Sequence, residues 1–159
     1  MSNAKLRHWI YLAIGFLILV AAGWFLLMRP ARYTDETMPE IFSEHRAAFQ
    51  AVAVYLCSKD IPTNITAVPT IDERFGIPVE DTDPYHAYND GIIELLHTEI
   101  DSVRYADGTV TFMTPESGGF AVRCRSAFAY GNVPPEESGA PRNPLPESNW
   151  YYFISMKEE

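Results

Sequence analysis

The residues best equipped for chemistry lie between Asp83 and His97. Asp83, His86, Asp90, Glu94 and His97 bring three carboxylates and two imidazoles into one short stretch. Asp90 and Glu94 are four apart and Glu94 and His97 three apart, so on a helix they would share a face. Oxygen and nitrogen donors of this kind could hold a divalent metal and activate water for hydrolysis. No His-Glu-x-x-His pattern is present, and Asp81-x-Asp83 lacks the rest of a calcium loop. The competing reading of these residues is a solvated loop followed by helix caps.

Two cysteines form the second candidate. Cys57 ends an apolar helical stripe, and Cys124 falls on the apolar face of an alternating segment. If helix packs on sheet, an oxidising compartment would allow a disulfide between them. The alternative is two reduced thiols acting as small apolar residues. Other nucleophile signatures are missing. The chain has no Gly-x-Ser-x-Gly elbow and no Gly-rich phosphate loop. Arg123 and Arg125 share a strand face and could form an anion site, although pairing with the many carboxylates competes with that role.

A third set is aromatic. Tyr85, Tyr88, Tyr130 and Trp150 are of the types favoured at binding interfaces. Tyr130 and Trp150 bracket a connection over residues 131–149 that contains five prolines. Proline lowers the entropy lost when such a loop is ordered, and loops held by a rigid sheet tend to carry recognition. Arg142 is the basic residue of this connection, among Glu136, Glu137 and Glu147. Tyr130, Arg142, Trp150, Tyr85 and Tyr88 are therefore the candidate binding residues.

These groups need elements to position them. Thr37-Met38-Pro39-Glu40 has the form of a capping box. The apolar residues Met38, Phe42, Phe49, Val52, Ala53 and Leu56 then recur at helical spacing, which predicts one helix to about Cys57. A short strand is expected over 65–68 and a short helix over 89–98. From Ile100 the period becomes two. Residues 102–105 and 109–113 flank Ala106-Asp107-Gly108, a hairpin signal. A strand over 120–130 and a closing strand over 150–156 complete the pattern.

Residues 9–28 form an uncharged apolar run, flanked by Lys5, Arg7 and His8 on one side and Arg29 and Arg32 on the other. About twenty such residues match the length of a membrane-spanning helix. The expected organisation is a tail over 1–8, a transmembrane helix over 9–28, a linker over 29–36 and a soluble domain over 37–159. The expected fold class is α+β: a single N-terminal transmembrane helix, then two helices packed on an antiparallel sheet of four or more strands.

Charge divides the chain in the same place. All 21 acidic residues follow residue 32, which leaves that part strongly negative against a net charge of −9 for the whole. Such a surface repels nucleic acid. The sequence therefore points to a membrane-anchored, extracytoplasmic, non-catalytic binding or accessory module. Its N-terminus would lie inside and its domain outside the cytoplasm, with a protein partner in the membrane or envelope and no cofactor. The alternatives are a membrane-tethered metal-dependent hydrolase using the Asp83–His97 cluster, and a structural subunit of a larger membrane complex.

Overall fold

The structure, a computed structural model, describes residues 3–27, 31–66, 77, 79–118, 122–131 and 141–158. Four helices and seven strands are found among them: α1 (Asn3–Leu27), α2 (Thr37–Glu44), α3 (Arg46–Lys59), β1 (Thr63–Ile65), α4 (Asp83–Thr98), β2 (Ser102–Ala106), β3 (Thr109–Met113), β4 (Ser117–Gly118), β5 (Val122–Tyr130), β6 (Asn143–Pro144) and β7 (Trp150–Glu158). The class is α+β, with one antiparallel sheet in the order β1-β2-β3-β5-β7-β6 and β4 also paired with β5.

The apolar N-terminal run is helical, as α1, but among the described residues no helix is long and apolar enough to cross a membrane. The transmembrane helix expected over 9–28 is corrected on that ground.

The helix expected from Thr37 to Cys57 is two helices. His45 leaves helical geometry (φ −104°, ψ 20°) and separates α2 from α3. The capping box does not form either. Thr37 Oγ1 instead accepts from the Thr34 N–H at 2.8 Å and donates to the Arg32 carbonyl at 2.8 Å. The helix expected over 89–98 starts earlier, at Asp83. Thr82 caps it by accepting from the Tyr85 N–H, and Pro84 sits in the first turn, where no N–H is needed. The β2–β3 hairpin turns on Asp107 and Gly108, both at positive φ. That is the geometry a two-residue hairpin loop demands.

Alternation places one sheet face against α2, α3 and α4. Val103 and Tyr105 of β2, Val110 and Phe112 of β3, Phe128 of β5, and Trp150 and Tyr152 of β7 point inward. Register stacks them in rows, Phe112–Phe128–Tyr152 and Val110–Tyr130–Trp150. Ala127, Ala129 and Phe153 form a smaller cluster on the opposite face.

Cys57 and Cys124 are both free thiols, which overturns the expected disulfide. The sheet register explains it. Cys57 lies beside Tyr105, whose row runs through Val110 to Tyr130. Cys124 sits six residues further along β5 from Tyr130, roughly 20 Å at strand rise. A disulfide needs Cα atoms within about 7 Å. Both cysteines lie on the helix side of the sheet but at opposite ends of it.

Two tyrosines pin the ends of elements. Tyr33, in the segment read as a linker, is buried, and its hydroxyl faces the Glu99 carboxylate at 3.4 Å. Arg32 meets the same carboxylate at 2.6 Å. Burial first, and the Glu99 charge second, push the Tyr33 phenol up to about 12. Tyr105 donates to Asp60 Oδ1 at 2.5 Å, and that bond, with burial, also pushes it up to about 12. Asp60 caps α3 in the left-handed conformation.

Both phenols are held protonated by the fold. Between the ordinary value of 10 and about 12 the unfolded chain loses these protons while the native chain keeps them. Stability is therefore expected to be level up to pH 10 and to fall as pH rises towards 12. Denaturant midpoints across that window check this, and Tyr33→Phe with Tyr105→Phe should flatten the slope.

Helices α3 and α4 touch at Gly91. A Cβ there would meet the Ala48 carbonyl oxygen at 3.0 Å and Val52 Cγ2 at 3.2 Å. Gly to Ala in a free helix gains about 1 kcal/mol. Here the obstacle is backbone and can yield only if α3 moves, at about 1–3 kcal/mol. Gly91→Ala is expected to destabilise, and a chemical denaturation curve with a raised midpoint would contradict that.

Candidate functional site

Helix α3 has three working faces, set by its 3.6-residue period. Phe49, Val52, Ala53 and Leu56 face the core. Ala48 and Val52 meet α4 at Gly91. Arg46, Gln50 and Val54, spaced by four, form a third stripe outside both. This stripe faces the chain between β6 and β7.

That chain is tightly built where it is described. β6 pairs with β7 through Asn143↔Tyr152 and Pro144↔Tyr151. Leu145 is buried, and its N–H donates to the Trp150 carbonyl at 3.0 Å. The Trp150 N–H closes a turn on the Glu147 carbonyl at 3.3 Å. Asn149 takes the positive φ that the turn requires. The second half of the expected loop is thus a short strand and a closed turn. Residues 132–140 of it lie outside the described residues.

Between the α3 stripe and this turn lies an open cleft of about 450 Å³, lined by Gln50, Val54, Tyr130, Pro146, Glu147, Ser148 and Trp150. Its volume falls in the range of ligand sites. Tyr130 and Trp150, neighbours in register, put their rings 5.0 Å apart in its wall. Trp150 is only 2 % exposed, and it also contacts Phe42, Phe49 and Phe112. The cleft wall is therefore continuous with the core and cannot shift independently. Arg46 Nε reaches Glu147 Oε1 at 2.9 Å and closes one end. From Arg46 to Val54 the stripe extends about 12 Å at 1.5 Å per residue.

Tyr130 and Trp150 are thus brought together in one cleft. Arg142 is exposed nearby in the chain but is not among the lining residues. Tyr85 and Tyr88 lie elsewhere, buried between α3 and α4, where Tyr88 stacks on Tyr55 at 4.6 Å. Sequence inspection missed Arg46, Gln50, Val54, Pro146 and Ser148. One signal was available for Val54: a β-branched apolar residue off the core stripe, here 59 % exposed.

The Asp83–His97 donors do not converge. They follow one another along α4 over fourteen residues, about 21 Å of helix. His45 Nδ1 pairs with Glu94 Oε1 at 2.6 Å, His86 Nε2 with Asp81 Oδ1 at 3.1 Å, and His97 Nδ1 donates to the Ile93 carbonyl at 2.8 Å. Among the described residues no three His, Cys, Asp or Glu side chains stand where they could hold a metal ion. Arg125 pairs with Glu116 at 2.6 Å.

Among the described residues the buried Tyr85 hydroxyl has no hydrogen-bond partner. An unmade bond of this kind costs about 1–3 kcal/mol of desolvation. Tyr85→Phe is therefore expected to leave stability unchanged or raise it by about 1 kcal/mol. A lowered melting temperature in that variant would show that the hydroxyl is used.

No family model, curated protein or solved structure matches the chain.

Proposed function

We propose that the protein is a non-catalytic binding or accessory module that holds a short segment of a protein partner in the α3–β7 cleft. The observation that carries this reading is the cleft itself. Its wall is an aromatic pair anchored in the core, and its other side is a helix stripe of mixed polarity. Rigid aromatic surface beside adaptable polar groups suits peptide recognition. Gln50 and Ser148 supply amide and hydroxyl groups for an extended backbone. A length of about 12 Å accommodates three to four extended residues. Binding rather than turnover is favoured by the lining. Among the described residues, Ser148 is its one hydroxyl of the serine type, and no histidine, cysteine or lysine lines the cleft beside it.

Val54→Arg tests the cleft. Val54 is exposed, so the substitution should change stability by no more than about 0.5 kcal/mol. A random peptide library selected on the full chain should enrich defined sequences, and Val54→Arg should abolish that enrichment with an unchanged melting curve. Equal enrichment on both proteins would reject the cleft as the site.

A further inference from the structure

We infer that the segment received in the cleft presents an arginine or lysine side chain to Glu147, displacing Arg46. This inference rests on the binding role proposed above and names the chemistry of the ligand.

Glu147 lines the cleft, and its side chain is only 20 % exposed. A carboxylate covered to that degree needs a cationic partner. Arg46 provides one, its Nε 2.9 Å from Glu147 Oε1, from a side chain that is 55 % exposed. Such a surface pair is weak and readily exchanged. It occupies the end of the cleft, on the same helix stripe as Gln50 and Val54. A ligand cation entering there finds the half-buried Tyr130 ring in the adjacent wall, backed by the buried Trp150, and aromatic faces attract cations. Arg46 then turns out to water. One ion pair is broken and one formed, and no charge is stranded.

The charge of the molecule agrees. With all 21 acidic residues beyond residue 32, the part that carries the cleft draws basic segments toward it and repels acidic ones. Arg46 acts as a built-in placeholder. It keeps Glu147 paired when the cleft is empty and disfavours ligands that cannot replace it.

The test selects one random peptide library in parallel on the full-length protein and on its Glu147→Gln and Arg46→Gln variants. The wild type should enrich peptides with arginine or lysine fixed at one position. In Glu147→Gln that position should lose its basic preference while the other enriched positions persist. The selected peptide should bind Arg46→Gln roughly two- to five-fold tighter, because the weak internal competitor is gone. Replacing the fixed arginine by citrulline makes the same test from the ligand side, independent of how Glu147→Gln folds, and should weaken binding about tenfold. Enriched peptides without a fixed basic residue would overturn this inference and leave the binding role standing. So would a basic preference that survives in Glu147→Gln, or weaker binding to Arg46→Gln. Failure to enrich any peptide would reject the binding role itself.

Discussion

The fold depends on the contact between two phenylalanines of the helical layer and three aromatic residues of the sheet. Phe49 places its ring 4.8 Å from Phe128, 5.0 Å from Phe112 and 5.8 Å from Trp150. Phe42 reaches Trp150 at 4.8 Å and Phe128 at 6.2 Å. Burial of apolar area would draw any greasy helix onto this sheet. Aromatic edges and faces add a preference for angle, about 0.5–1.5 kcal/mol per pair, and so fix how α2 and α3 lie across the strands. The break at His45 lets both helices contribute, since one straight helix diverges from a twisted sheet along its length.

Once α3 is fixed, its other faces acquire their roles. Gly91 allows α4 to approach until backbone meets backbone, which buries Tyr55, Tyr85 and Tyr88 between the helices. Among the described residues no element of the helical layer covers the remaining stripe, and it becomes one side of the cleft. The opposite wall belongs to Trp150, which is at once a core residue and a lining residue. Recognition and stability therefore share an anchor. The cleft is preorganised, and the entropy of ordering it was met when the core formed.

Polar contacts refine this arrangement. Glu99 collects Arg32 and Tyr33 and ties the approach to α2 against the end of α4. Asp60 accepts from Tyr105 and ties the end of α3 to β2. Lys59 and Glu80 pair in turn, with the Lys59 ammonium 5.2 Å from the Tyr55 ring centroid. These links cost little to form because each spans positions that the aromatic core has already brought close.

Periodicity made much of the fold legible. The inward residues of α2, α3, β2, β3, β5 and β7 are those that recur at helical or alternate spacing, because burial acts on residue type and direction. Asp107-Gly108 announced its hairpin because few residues tolerate positive φ. The α+β class follows from these local signals, and so does the candidacy of Tyr130 and Trp150 as neighbours of one long connection. Tertiary structure alone decided the rest. Spacing cannot give distance across a sheet, so two cysteines on one side of it lie roughly 20 Å apart along the strands. Donors that crowd the sequence from Asp83 to His97 are strung along a helix and cannot meet at one ion. The apolar run at the N-terminus announced its helix, but among the described residues no helix is long and apolar enough to cross a membrane. The cleft joins α3 to a turn nearly a hundred residues later. Only the register of β5 with β7 puts Trp150 beside Tyr130, and only the seating of α3 on that pair turns Gln50 and Val54 toward them.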